Sequence, residues 1–261
     1  MTGAAAQTLE VPLDSLEAAR HAAPYASRLE LCHDLPSEGW SPSGEFIRQV
    51  RDLTDGSIVA MIRPRLPGSA PTLCVSSFVA TPRVMSESTR EIELAARAGA
   101  NSVAIGLLTP DGFVDVDACA ELARVARAAK LDVAFLRTFD LLTDRARGMR
   151  DITALTMTRV ITAGVLGWDA SVASLDARVA VLTEDILNAR SCARAGTAPV
   201  EVVACGGVRT DNAHEFLRVT PHLHASCRVG GSFSADEVQT LHARLTCPTS
   251  SCSTRRSTVG S

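Results

Sequence analysis

Residues 101–135 read NSVAIGLLTPDGFVDVDACAELARVARAAKLDVAF, and the class of fold can be argued from this segment. It begins and ends with short apolar runs, Ser102–Ile105 and Asp132–Phe135, which are typical of strands covered on both faces. Between them, Asp117–Ala129 repeats apolar residues at spacings of three and four, which predicts an amphipathic helix. The segment is therefore predicted to be a strand–helix–strand unit of a parallel sheet.

The same alternation continues toward both ends of the chain. Six further apolar runs are candidate strands: Leu9–Leu13, Arg28–Cys32, Ile58–Arg63, Arg159–Thr162, Val200–Ala204 and Leu223–Ser226. Further helical patterns occupy Glu87–Ala98, Ala173–Ala195 and Asp211–Val219. Eight strands alternating with helices predict an α/β fold, a TIM-like (β/α)8 barrel that could be incomplete or irregular. An open doubly wound sheet is the alternative, although no G-x-G-x-x-G motif follows any strand.

The 261 residues are predicted to form one barrel domain over residues 1–245, since barrels of this class need about 250 residues. Two segments interrupt the pattern. Leu66–Val84 holds three prolines and few helical signals, which predicts a long loop after the third strand. Residues 246–261 are rich in Ser and Thr and are predicted to be a disordered tail.

Composition narrows the function classes. The net charge is −3 and no basic run precedes Arg255-Arg256, which argues against nucleic acid as the main partner. No apolar stretch reaches the roughly 20 residues that span a bilayer, so no membrane partner is expected. Residues 1–8 lack the pattern of a secretory signal, which favours a cytoplasmic location. The eight cysteines form no C-x-x-C pair, which argues against a structural zinc site.

Short motifs in a fixed order resemble the CutC family. They are RLELC (28–32), SEG (37–39), SPS (41–43), MIRPR (61–65), GLLTPDG (106–112), FLRTFD (135–140), VITAG (160–164), GGV (206–208) and HAS (224–226). The resemblance implies a barrel fold and an association with copper homeostasis. The chain departs from the family pattern at Pro12, where the family commonly has Cys, and at Leu136, where it has His. These departures allow a changed ligand or activity.

Polar residues near the predicted strand ends form a candidate site, because the carboxyl ends of barrel strands meet on one face. The candidate catalytic residues are Glu30, Arg63, Arg137, Asp140 and His224. Strand alternation predicts that three pairs of side chains each share a face: Glu30 with Cys32, Met61 with Arg63, and Phe135 with Arg137. The two arginines are expected to bind an anion bidentately while Glu30 or His224 moves a proton. A purely structural Glu30–Arg63–Arg137 ion network is the alternative.

Glycine-rich turns after the last two strands favour an anionic ligand, because their backbone N–H groups are exposed. The candidate ligand-binding residues are Glu10, Arg65, Thr162, Gly206, Gly207, Gly230, Gly231 and Ser232. Ser234 and Glu237 fit a capping box for a final helix whose amino end would point at the same place. Turn glycines without any ligand are the alternative.

Three functions remain open. The first is a CutC-like protein that binds a small anionic ligand, and the second is a cofactor-independent lyase, isomerase or hydrolase acting on a small anionic or phosphorylated metabolite. The third is a Cu(I)-thiolate protein with Cys32 as a metal ligand, so that the expected cofactor is none or Cu(I). Cys205 and Cys227 also fall near predicted strand ends. A homodimer is compatible with the sequence.

Overall fold

Eight parallel strands pair in chain order and close into a barrel, as predicted. The computed structural model describes residues 6–67 and 73–246. The strands are β1 (Thr8–Leu13), β2 (Arg28–Leu31), β3 (Ser57–Met61), β4 (Ser102–Ile105), β5 (Asp132–Phe135), β6 (Arg159–Thr162), β7 (Glu201–Ala204) and β8 (His222–His224). The last strand returns to the first, with Leu223 level with Leu9, which closes the sheet. The open-sheet alternative is excluded.

Helices follow the strands around the outside. They are α1 (Leu16–Ala22), α2 (Gly44–Arg51), α3 (Pro82–Arg97), α4 (Val116–Ala128), α5 (Arg145–Ala154), α6 (Leu175–Cys192), α7 (Ala213–Leu217) and α8 (Ala235–Thr246). A short antiparallel hairpin of β9 (Arg228–Val229) and β10 (Ser232–Phe233) precedes α8. Among residues 6–67 and 73–246, no helix combines the length and the apolar character needed to cross a bilayer.

The predicted loop Leu66–Val84 extends three residues too far, because Pro82–Val84 belong to α3. Val75–Phe78 forms a 3-10 turn, and α3 begins at Pro82 because Thr81 caps it and proline suits the first helical turn. Residues 68–72 of this segment lie outside the described residues. At the other end, α8 runs to Thr246, one residue beyond the predicted domain boundary, and the rest of the predicted tail lies outside the described part.

The inward side chains at the amino-terminal end of the barrel are charged. Arg28 Nε lies 2.6 Å from Glu10 Oε2, and Arg159 Nε lies 3.1 Å from the same oxygen. Arg28 also reaches Glu201 at 3.3 Å. Burial works to raise the pKa of Glu10, but the positive charges of Arg159, His224 and Arg28 outweigh it and lower the pKa. Glu10 is therefore an ionised carboxylate held between two arginines.

Strand β3 ends two residues before its predicted end, whereas β5 ends at Phe135 as predicted, and an arginine follows each of these ends. Strand β3 ends at Met61, so Met61 lines the barrel mouth while Arg63 lies at a different cavity. Strand β5 ends at Phe135, which packs edge-to-face on Phe139 in the outer core, whereas Arg137 begins a 3-10 turn. Alternation holds only within a strand, so the predicted pairings of Met61 with Arg63 and Phe135 with Arg137 are wrong.

Candidate functional site

A cavity of about 390 Å³ occupies the carboxyl-terminal mouth of the barrel. We call it the central cavity. Its lining includes Glu30, Cys32, Met61, Phe78, Leu136, Arg137, Ile161, Trp168, Cys205, Gly206, Gly207, His224, Arg228 and Gly231. Glu30 and Cys32 both line it, as alternation along β2 predicts. It lies where sites are built in barrels of this class.

The central feature of this cavity is a histidine–glutamate pair. Nε2 of His224 lies 2.8 Å from Oε2 of Glu30, although β1 separates their two strands. Burial works to lower the pKa of His224, but the hydrogen bond to Glu30 and the negative charges of Glu30 and Glu10 outweigh it and raise the pKa. The pair therefore favours an imidazolium next to a carboxylate, which is a donor and an acceptor for proton transfer.

Three polar atoms at the central cavity have no partner within the described residues. Oε1 of Glu30, Nε1 of Trp168 and Nε of Arg228 are buried and make no hydrogen bond. Buried polar atoms are nearly always paired, and groups left unpaired are best explained by a ligand or water. Residues that line this cavity therefore carry one acceptor and two donors that have no partner in the described chain.

Arg137 supplies positive charge at the wall of the central cavity. Its Nε lies 3.2 Å from Oδ2 of Asp140, its Nη2 donates to the carbonyl of Trp168, and its guanidinium lies 4.6 Å from the Trp168 ring centroid. Arg228 is a second cation at this cavity and is paired with Asp14. Both arginines are thus held in place by acidic side chains.

Asp140 and Thr162 do not line the central cavity. Oδ1 of Asp140 accepts hydrogen bonds from Thr162 Oγ1 at 2.6 Å and Arg145 Nη1 at 3.2 Å, and Oδ2 accepts from the Ala163 N–H at 2.8 Å. Because its lone pairs are occupied, we assign Asp140 to positioning Arg137, in place of its predicted catalytic role. Arg145, which also binds Asp185 through Nη2, was missed because a helix-starting arginine carries no sequence signal.

Arg63 does not line this cavity, so the predicted joint binding of one anion by Arg63 and Arg137 is wrong, and the alternative Glu30–Arg63–Arg137 ion network does not form either. Within the described residues no carboxylate lies within 4.0 Å of Arg63, which lines a separate cavity. Arg65 is 62% exposed, lies 4.0 Å from Asp34 and is not part of the central lining. Glu10 lies deeper in the barrel, in its own ion network.

Of the glycine turns, Gly206, Gly207 and Gly231 line the central cavity, but Gly230 and Ser232 do not. Gly206 has φ +74, and a Cβ there would lie 2.7 Å from the Cβ of Ala163, so packing also requires this glycine. The predicted capping box is half formed. Ser234 accepts from the Glu237 N–H at 3.2 Å, but the Glu237 carboxylate accepts from Thr210 instead.

The donor atoms of the site fit a copper-thiolate centre poorly. Burial raises the pKa of Cys32 well above its ordinary value and that of Cys205 to about 12, and Cys32 Sγ donates to the Leu13 carbonyl. Cu(I) prefers thiolates, whereas these thiols stay protonated. Cys227 is similar, because burial raises its pKa to about 12 and its thiol donates to the Ala225 carbonyl.

Glu10, Glu30 and His224 also offer three potential metal-ligand atoms within 4.8 Å of one another. Their oxygen and nitrogen atoms are hard or borderline donors, which suit a different class of metal from Cu(I). Glu10 is already paired with Arg28 and Arg159. An added cation would therefore compete with two guanidinium groups and with the proton of His224.

The chain is similar to known proteins over most of its length. The CutC family model matches residues 7–229. A CutC family protein of Vibrio atlanticus is 30% identical over 221 residues, covering 84% of this chain and 81% of that protein. The human copper homeostasis protein cutC homolog is 32% identical over 157 residues, covering 60% of this chain and 54% of that protein.

Two solved structures share the fold. The copper homeostasis protein CutC of Streptococcus agalactiae superposes with a TM-score of 0.69 at 20% identity, covering 84% of this chain and 98% of that one. A 3-hexulose-6-phosphate synthase superposes with a TM-score of 0.59 at 18% identity, covering 90% of this chain and 98% of that one. At these identities the likeness is one of fold alone. The match to the family model, which spans most of the sequence, shows that the chain belongs to the CutC family.

Proposed function

We propose that the central cavity binds a small anionic ligand and that the His224–Glu30 pair exchanges a proton with it. The observation that carries this proposal is the 2.8 Å contact between His224 and Glu30 at the carboxyl-terminal mouth of the barrel. A protonated imidazole and a carboxylate with one unpartnered oxygen provide a general acid and a general base in one place.

The anionic character of the ligand is supported by the cations of the cavity wall. Arg137 and Arg228 both line it, and Nε of Arg228 and Nε1 of Trp168 have no acceptor in the described chain. Exposed N–H groups in the turn at Gly206 and Gly207 would add neutral donors. Leu136 and Ile161 add apolar surface to the wall of the cavity, which suits a ligand with a carbon skeleton.

A cofactor-independent enzyme, a lyase, isomerase or hydrolase, is the second candidate function. The His224–Glu30 pair also favours this second function. A carboxylate repels a bound anion, so simple anion binding gives no reason for Glu30 to lie at the cavity, whereas proton transfer does. If the protein is an enzyme, His224 gives a proton to the ligand and Glu30 takes one from it. Arg137 would stabilise negative charge that develops on the ligand.

The human relative's name links that protein to copper homeostasis. We propose that a comparable role here would act through the bound ligand, since the cavity thiols are buried and protonated. A cytoplasmic location belongs to the proposal because the described cysteines are all unpaired, and a reducing compartment keeps them so.

The test is a thermal-shift screen with carboxylated and phosphorylated metabolites, repeated on Arg137→Met. We expect the ligand to raise the melting temperature of the wild type. The apparent affinity of Arg137→Met for the same ligand should be at least about tenfold lower, because a charge-assisted contact is lost. Arg48→Met, at an exposed arginine of α2, is the control and should bind like the wild type. Equal binding by Arg137→Met would overturn the anion site. For the enzyme, Glu30→Gln should keep binding and lose turnover.

A further inference from the structure

A second cavity, of about 450 Å³, lies where the chain leaves β3 and enters α3. We name it the Trp40–Arg63 cavity after a tryptophan and an arginine that line it. It shares Phe78 with the central cavity and otherwise has its own lining in the described chain. Its wall is about half apolar and half polar. The apolar part includes Ile62, Leu66, Val79, Val84, Leu107 and Leu122, and Ser76, Thr81 and Ser88 are among the polar residues.

Arg63 is a buried cation with no carboxylate within 4.0 Å in the described chain, and only the more distant charge of Glu38 acts on it. It is 6% exposed, and no Asp or Glu of the described chain pairs with it. Its Nη1 donates to the Gly39 carbonyl at 2.8 Å and more weakly to Glu38, while Nε has no partner. Burial lowers the pKa of Arg63 to about 10, so the group is still charged at neutral pH. A buried charge without a partner is costly, which makes this arrangement unusual.

Other buried arginines of this chain are satisfied differently. Arg159 is paired with Glu10. Arg178 has no carboxylate, but its Nε and Nη2 donate to the carbonyls of Ala163 and Cys205 at 2.8 and 2.6 Å. Among the buried arginines of the described chain, only Arg63 has no carboxylate within 4.0 Å, an unpaired Nε and a position on a cavity wall.

Trp40 provides an independent second observation. It is 5% exposed, lines the same cavity, and its indole Nε1 has no acceptor in the described chain. The Arg63 guanidinium lies 3.9 Å from the Trp40 ring centroid, so one face of the guanidinium packs on the indole. The N–H groups at the edge of the guanidinium are the ones that could bind a ligand. Two neighbouring side chains that line one cavity thus each carry a buried donor with no acceptor in the described chain.

We propose that the Trp40–Arg63 cavity binds a small monocarboxylate with an apolar body. The carboxylate would accept hydrogen bonds from the free guanidinium edge of Arg63 and from Trp40 Nε1. Arg63 is the one charged residue among the described lining residues, which matches a single negative charge better than a phosphate dianion. The apolar side chains around it would cover the hydrocarbon part of the ligand. This site is distinct from the central cavity and does not depend on its proposed function.

Tryptophan fluorescence can test this site, because the chain has two tryptophans and each cavity contains one of them. In a Trp168→Phe background, Trp40 is the reporter, and hexanoate is the probe. We expect a saturable change in Trp40 emission, with hexanamide binding at least about tenfold more weakly because it lacks the charge. Equal binding of hexanoate and hexanamide by the folded protein would overturn the proposal without any variant of Arg63.

Arg63→Met removes the charge and keeps an apolar side chain of similar reach. It should weaken hexanoate binding at least about tenfold. Arg65→Met is the matched control, since Arg65 also lies near Trp40, at 5.7 Å from its ring, but is 62% exposed and should be replaceable. Binding that survives Arg63→Met, or is lost equally in Arg65→Met, contradicts the site. The proposal is also contradicted if hexanoate changes the emission of Trp168 in Trp40→Phe but does not change the emission of Trp40 in Trp168→Phe. That result would place the probe in the central cavity.

Discussion

His224 and Glu30 meet across β1, with Nε2 and Oε2 2.8 Å apart, and only closure of the barrel brings them together. Strand β8 pairs with β1 so that His224 is level with Glu10, while Glu30 in β2 is level with Pro12. The two residues are 194 positions apart in the chain. This contact therefore contributes both to the geometry of the site and to the stability of the barrel. Its contribution to the free energy of unfolding depends on pH, because His224 is titratable.

The raised pKa of His224 predicts stability that fades as the pH rises. The unfolded chain has a histidine pKa of about 6.5, so the stabilising protonation is fully present below it and is lost as the pH rises through the folded value. We expect the difference in unfolding free energy between the wild type and His224→Gln to shrink as the pH rises above about 6.5 and through the raised folded-state pKa of His224. Urea unfolding across this range is the measurement.

His222 is the control for this prediction. Burial lowers its pKa, so protonation costs stability in the folded state. His222→Gln should therefore gain stability relative to the wild type as the pH falls, which is a slope of opposite sign. Parallel pH profiles for the two variants would contradict our assignment of the imidazolium to His224.

Asp140 is predicted to be the most important carboxylate for the architecture of the site. Asp140→Ala leaves Arg137 and Arg145 without their shared partner and should lower the unfolding free energy by about 3–5 kcal/mol. The control is Glu87→Ala, which breaks the exposed pair with Arg90 and should cost less than about 1 kcal/mol. Denaturant unfolding measures both, and a small effect at Asp140 would show that the cluster is not cooperative.

The sequence predicts the barrel better than it predicts the site, for a physical reason. Short apolar runs and helical spacing are local patterns that can be read directly from the sequence. With eight strand–helix units, closing the sheet into a barrel buries every strand and leaves no exposed edge. The directions of Arg63 and Arg137 are set by turns beyond the last paired residues of β3 and β5, where period-two alternation no longer applies. Trp40 and Trp168 lie in irregular segments, so no periodicity could assign them to a cavity.

Alanine substitutions at Gly206 and Gly207 distinguish the cost of steric crowding from the cost of backbone strain. Both have positive φ, +74 and +81, but a Cβ at Gly206 meets Ala163 at 2.7 Å while one at Gly207 meets nothing within 4 Å. Gly207→Ala should cost only the strain of a left-handed alanine, about 1–2 kcal/mol. Gly206→Ala should cost about 1–3 kcal/mol more because of overpacking. Thermal unfolding of the two variants checks the order, and equal losses would contradict the close contact.

Thiol reactivity tests whether the cavity cysteines are the protonated groups that their burial implies. Burial raises the pKa of Cys32 well above the ordinary value and that of Cys205 to about 12, whereas hydrogen bonds to Ser76 and Ser77 lower the pKa of the exposed Cys74. The thiolate is the reactive species, so iodoacetamide near neutral pH should label Cys74 far faster than either cavity cysteine.

Peptide mass spectrometry after timed labelling gives the rate at each site. Cys74→Ser should remove the fast product without changing the rates at Cys32 and Cys205, since Cys74 lies outside the central cavity. If Cys32 reacts as fast as Cys74 in the folded protein, its thiol is ionised and accessible. A soft-metal role for the cavity would then regain the thiolate that it needs, because Cu(I) binds the deprotonated sulfur.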